Sequence, residues 1–151
     1  MLGTLHVVGI MWTQVWPGDR RICSPLLLTK SHGSNTVPRY QYDPNLGRDV
    51  REVDAYYNTA IAARNIVVVY TDVVTTSIVE DNLGSLGVNI RTTGSGRVSI
   101  FRDGRRQDGT WARNSIFDAW QFVSLNGEPI WLSPGQTWVH MIPSTWGVPS
   151  N

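Results

Sequence analysis

Apolar and polar positions along the chain fall into short stretches separated by turn residues. From Leu5 to Trp16 the apolar residues are nearly continuous and mostly β-branched or aromatic, which predicts a strand closed by the turn Pro17-Gly18-Asp19. A second, shorter strand is predicted from Ile22 to Thr29, interrupted at Pro25. Residues 30 to 49 read as a loop, a brief strand through Tyr40 and Tyr42, and a tight turn. Asp54 is placed to cap a short helix from Ala55 to Arg64. The run from Ile66 to Val74 is apolar at both alternating positions until Asp72, as expected of a central strand covered on both sides.

Beyond a polar zone from Glu80 to Gly87, period-two alternation returns. Val88, Ile90 and Thr92 precede Gly94-Ser95-Gly96, and Val98 and Ile100 follow it, which predicts a hairpin turning at the three-residue joint. Asp103-Gly104 sits between Ile100-Phe101-Arg102 and Arg105-Arg106-Gln107, Asn126-Gly127 sits between Phe122-Val123-Ser124-Leu125 and Glu128-Pro129-Ile130-Trp131, and both suit type I′ turns, because both positions tolerate positive φ. A last strand from Trp138 to Ile142 stops at Pro143. The expected fold is mainly β, with β-rich α+β as the alternative: about eight short, mostly antiparallel strands joined by hairpins into a curled or layered sheet, with little helix.

The chain is 151 residues long, enough for a single domain. Charged residues are only 17%, and seven residues are Trp, which excludes a disordered chain. Net charge is +1, so no overall field draws it to nucleic acid or an anionic membrane. The single Cys23 forbids an internal disulfide. The first residues lack the basic, then apolar, pattern of a signal peptide, and no apolar run reaches the roughly 18 residues of a membrane span.

From Gly94 onward a set of features appears in fixed order: Gly94-Ser95-Gly96, Phe101-Arg102-Asp103-Gly104, Gly109-Thr110-Trp111, Arg113, Asn126-Gly127, Pro134-Gly135, Thr137-Trp138 and Pro143. With Tyr40-Gln41-Tyr42-Asp43-Pro44 and Ala63-Arg64-Asn65-Ile66 upstream, this block resembles the C-terminal domain of the YerB-like bacterial lipoproteins, a family of undefined function. The resemblance covers residues 37 to 143, leaving divergent N-terminal strands over 1 to 36 and a tail over 144 to 151. It implies a cell-envelope or extracytoplasmic location. It also implies structural roles for Gly94, Gly96, Phe101, Asp103, Gly104, Gly109, Trp111, Gly127, Pro134, Gly135 and Trp138. Members of the family carry a lipoprotein signal and a separate N-terminal domain. Neither is expected in this chain, and Cys23, preceded by Arg20-Arg21-Ile22, lacks the small residues of a lipid-attachment box.

Candidate chemistry is sparse. His6, His32 and His140 are scattered, and no His or Cys pair has zinc-site spacing, so neither metal nor cofactor is expected. His140 shares a strand face with Trp138 and Ile142, which suits a buried, hydrogen-bonded histidine better than a base. No nucleophile elbow or phosphate-binding loop is present, and of the carboxylate pairs Glu80-Asp81 and Asp103 with Asp108, the first sits in a turn and Asp103 is explained by the Asp103-Gly104 turn. Arg97, Arg102, Arg105, Arg106 and Arg113 concentrate positive charge around Phe101 and Trp111. They are candidates for an anionic ligand, or for solvated edges that discourage strand pairing. Trp111, Trp120, Trp131 and Trp138 are mostly core candidates, and an exposed pair would indicate a carbohydrate or peptide platform.

The reading that follows is a binding or structural module of the envelope without a catalytic site. Its ligand-binding candidates are Arg97, Arg102, Arg105, Arg106, Trp111, Arg113 and His140. Two alternatives stay open. One is a hydrolase or transferase acting on an envelope polymer, with a site shared with a missing N-terminal domain. The other is polyanion or nucleic-acid binding through Arg97–Arg113, with nucleic acid the less favoured of the two ligands. Partners compatible with these readings are that N-terminal domain, another envelope protein or an anionic polymer.

Overall fold

The computed structural model describes residues 26–27, 39–51, 62–82, 84 and 86–148. These form eleven strands and no helix. β1 (Leu26–Leu27), β2 (Arg39–Asp43), β3 (Arg48–Arg51) and β4 (Ala62–Ala63) make a small antiparallel sheet in chain order. β5 (Asn65–Thr71), β8 (Gly94–Arg102), β9 (Arg105–Arg113), β10 (Gln121–Ser124) and β11 (Thr137–Pro143) make the main sheet, ordered β10-β9-β8-β5-β11. β6 (Val73–Val79) and β7 (Leu86–Ile90) form a separate two-stranded ribbon.

All seven residues of β5 are buried. Ile66, Val68 and Tyr70 face one side, where they pack with Tyr40 of the small sheet and with Phe101, Ile142 and Val148. Val67 and Val69 face the other, packing with Val98, Ile100, Trp111, Ile130 and Met141. Trp120, Phe122 and Leu132 close that second core. The main sheet is therefore the middle layer of a sandwich whose two coats are built differently.

β11 runs parallel to β5, Thr137 opposite Asn65 and Pro143 opposite Thr71, and is the one parallel pair among the described residues. Parallel neighbours need a long crossover, so something must fix their register. Asn65 supplies it. Its amide nitrogen donates to the Ser133 carbonyl at 2.8 Å and to the Thr137 hydroxyl at 3.0 Å, and its amide oxygen accepts from the Ser133 N–H at 2.8 Å.

Several sequence expectations change. The central strand ends at Thr71: Asp72 turns to Arg91, 2.8 Å away, and Val73 and Val74 open the exposed ribbon instead. Gly94-Ser95-Gly96 is not a hairpin joint but the first part of β8, paired with Trp111 to Arg113. Its small residues are needed there, since a side chain at Gly96 would collide with the Trp111 indole and the Tyr70 carbonyl, which are themselves hydrogen-bonded at 3.0 Å. Asn126-Gly127 is not type I′, because Gly127 alone has positive φ. The Gly127 N–H donates to the Ser124 carbonyl at 3.0 Å and the Ser124 N–H to that of Glu128 at 2.7 Å, a three-residue loop closed by a left-handed glycine. Asp103 and Gly104 do both have positive φ, as a type I′ turn requires. The helix expected through Arg64 gives way to strand at Ala62–Ala63, and its earlier part lies outside the described residues. So do the strand from Leu5 to Trp16, most of the one from Ile22 to Thr29, and Cys23, His6 and His32.

Two stability predictions follow. Gly104→Val combines positive φ with a collision against the Tyr42 ring and should lower unfolding free energy by about 2–3 kcal/mol in urea titration. Asn65→Ala orphans a buried carbonyl and N–H and should cost about 2–3 kcal/mol in the same measurement, where an unchanged midpoint would show that the parallel register does not depend on this amide.

Candidate functional site

Strand alternation divides the five arginines. β8 and β9 pair without a register shift, so Arg97 and Arg106 point to the face carrying Tyr70 and Phe101, while Arg102, Arg105 and Arg113 point to the opposite face. The Arg97 guanidinium lies 4.3 Å over the Tyr70 ring and donates to the Ser144 carbonyl at 2.8 Å. Arg106 donates to Asp108 at 2.9 Å and to the Val148 carbonyl at 3.0 Å, and sits over Phe101. Together these two pin the chain after β11 across the sheet. Arg113 donates to the Asp118 carbonyl at 2.9 Å and to that of Ile116, over the Trp120 ring. Arg102 is half-buried, and burial draws its pKa downward despite Asp103 alongside; its register partner is Arg105. Arg97, Arg106 and Arg113 brace backbone carbonyls, Arg102 reaches the Gln107 side chain, and no single basic face gathers all five.

Trp111 is fully buried against Trp120, their ring centroids 4.9 Å apart. The family-motif residues take the following places. Phe101 is core, Gly109 lies beneath the Val123 carbonyl, and Asp103 accepts from the Ser133 hydroxyl at 2.7 Å. Gly94, at the start of β8, and Gly127 and Gly135, at bends, all have positive φ, and Gly135, which follows Pro134, lies against Arg64. Trp138 packs partly buried beside the first core.

His140 is only 2% exposed and meets the small sheet edge-on. Its Nε2 shares a 2.9 Å hydrogen bond with the Tyr40 hydroxyl. Tyr40, Tyr42, Asp49 and Arg51 project from one face of the β2–β3 pair, since Tyr40 is opposite Arg51 and Tyr42 opposite Asp49. A polar seam thus joins the two sheets. Burial, aided by the Arg51 charge, depresses the His140 pKa to about 3, so the imidazole is neutral at physiological pH. Burial, with the Asp103 charge, lifts Asp49 to about 6, and burial also holds the Tyr40 phenol protonated well above its ordinary range. Nothing in the sequence alternation singled out Asp49, whose burial arises only when the two sheets close on each other.

A different surface lies at the end of β9 and the start of β10. The loop 114–119 carries Ile116 and Phe117, 61% and 91% exposed. It is held rigidly by Arg113, by the Phe117 N–H donating to the Ser115 hydroxyl at 3.2 Å, and by the Asp118 N–H donating to the Ser115 carbonyl at 3.0 Å. Trp131 is close by in the topology. Val123 bridges Pro129 and the Ile130 N–H donates to the Phe122 carbonyl, which sets Trp131 opposite Gln121. Ile130 turns into the second core, so Pro129 and Trp131 turn to the other face, where Trp131 is 48% exposed. Of the four tryptophans that are mostly core candidates by sequence, Trp131 is the exposed one. Its position one residue past the buried Ile130 was the signal that separates it.

The seam predicts an uncommon pH response. A depressed His140 contributes stability that is complete above about pH 6.5 and lost as pH falls toward 3; a raised Asp49 contributes stability complete below about pH 3.8 and lost as pH rises through 6. Between pH 4 and 6 the two oppose. Asp49→Asn should therefore make stability fall more steeply on acidification from pH 6 to 4 than in the wild type, and His140→Gln should flatten or reverse that fall, as read from denaturation midpoints at each pH.

Comparison with known proteins agrees with the architecture. No curated protein sequence matches the chain. The crystal structure of the YerB protein from Bacillus subtilis matches with a TM-score of 0.60 at 18% identity, over 87% of this chain and 45% of that one. The likeness is therefore one of fold, and the chain spans less than half of YerB's length. A model for the C-terminal domain of a protein of unknown function, DUF3048, matches residues 28–139, and by that match the chain belongs to the DUF3048 C-terminal domain family.

Proposed function

We propose that this domain is a non-catalytic binding module of a bacterial cell-envelope protein, and that it engages its partner at the β9–β10 end of the main sheet. The observation that carries this reading is Phe117. An almost fully exposed phenylalanine costs solvation, and here it stands on a loop that Arg113 ties to two of the loop's own carbonyls. A preordered apolar anchor loses little entropy on docking, which is the economy expected of a recognition element.

Support for a binding role over catalysis comes from His140, the one histidine among the described residues. It is neutral, sealed between sheets and bonded to a phenol. A general base needs contact with substrate and a pKa near working pH. The arginines give little support to a polyanion groove, because the five are divided between faces and three of them, Arg97, Arg106 and Arg113, are braced against backbone carbonyls. The envelope location rests on the family resemblance.

A photo-crosslinking phenylalanine analogue placed at position 117, and in a second variant at 131, should yield a discrete adduct in the envelope fraction. The same group at Gln41, exposed on the outer face of the small sheet, should not. Absence of an adduct from 117 and 131, or the same adduct from 41, overturns the assignment of this surface.

A further inference from the structure

The register across β8, β9 and β10 places two rows of residues on the face beside Trp131. One row runs Ser95, Ala112, Gln121 and Trp131, and the next runs Arg97, Thr110, Val123 and Pro129. Ser95, Thr110, Gln121 and Pro129 are exposed, and Ala112 and Val123 are half-buried. The segment Ser144 to Val148, pinned by Arg97 and Arg106, forms a wall along the inner side. Three strand spacings separate that wall from Trp131, about 14 Å.

Resting on the reading of this end of the sheet as a binding surface, we propose that the shelf binds an uncharged polysaccharide chain, with a sugar ring stacked on Trp131. The composition of the shelf selects that ligand. Its one charged side chain, Arg97, is turned toward the Ser144 carbonyl and the Tyr70 ring, and a single positive charge is too few for the repeated contacts an anionic polymer needs. The shelf's own apolar floor is limited to Ala112, Val123 and Pro129, too little for the desolvated centre of a protein interface, while Phe117 stands on the adjoining loop. A pyranose needs what is present: an aromatic face for its C–H side, and short hydroxyl and amide groups for its rim. Trp131 supplies the first; Ser95, Thr110 and Gln121 supply the second. The floor is a paired β-sheet, so the groups are already in place before the ligand arrives.

Titration of the whole chain with the N-acetylglucosamine hexamer tests this. We expect a blue shift in tryptophan fluorescence and amide chemical-shift changes confined to the two rows. Trp131→Ala should weaken binding at least tenfold, Trp131→Phe should retain part of it, and Thr110→Arg should block it, each with an unchanged melting temperature. Binding that is untouched by Trp131→Ala, or no binding to the hexamer and to cellohexaose at millimolar concentration, overturns the proposal. Loss of the sugar result with the position-117 crosslink intact removes the polysaccharide and leaves the binding surface; loss of both removes the surface as well.

Discussion

A strand buried on both faces governs this molecule. No residue of β5 reaches solvent, so both sides of the main sheet must be covered, and the covers decide where everything else lies. On one side the cover is the small sheet and the returning segment that ends in Val148. On the other it is a set of aromatic and aliphatic side chains around Trp111. Burial falls away along β9 and β10, far from β5 in strand order, and that is where side chains become available for contact.

The two joints answer different physical problems. Apolar packing holds sheet to side chains around Trp111, and the Trp111 N–H is satisfied by the Tyr70 carbonyl across β8. The joint between sheets is polar, through Tyr40 and His140, with Asp49 buried nearby. Buried polar groups add less net stability than apolar ones of similar size, but they tolerate one alignment only. The seam thus fixes how β2 and β3 sit on the main sheet. Arg97, Arg106 and Arg113 serve the same end at the periphery, each holding a backbone carbonyl in place. This explains how a chain with few charges spends so many of them on its own backbone.

The fold class was readable because the run from Ile66 is apolar at both alternating positions, as a strand covered on both sides requires, the Asp103-Gly104 dipeptide suits a tight turn, and the residues from Val88 to Ile100 alternate. What was not readable was whatever depends on distant partners. Nothing local in Asn65 reveals that it will clamp Ser133 and Thr137, and so nothing reveals that β11 runs parallel to β5. Gly94-Ser95-Gly96 looks like a turn by composition; its smallness instead serves the close passage of the Trp111 indole. The arginine cluster was visible as a count but not as a geometry, because strand alternation separates neighbours in sequence onto opposite faces. For the candidate surface, the signal lay in Trp131 beside Ile130, two bulky residues that cannot both face one core.

That last pair shows how a binding face can be carried at small cost to the fold. Ile130 fastens its segment to the second core, and Trp131, one residue on, is thereby aimed outward with its backbone already fixed. The same division holds at the loop 114–119, where Trp120 packs inward beside Trp111 and Arg113 holds the turn that displays Phe117. In each case one residue anchors and a neighbour presents. A substitution at the presenting position leaves the anchor in place, so the surface can change its ligand while the sandwich beneath it stays the same.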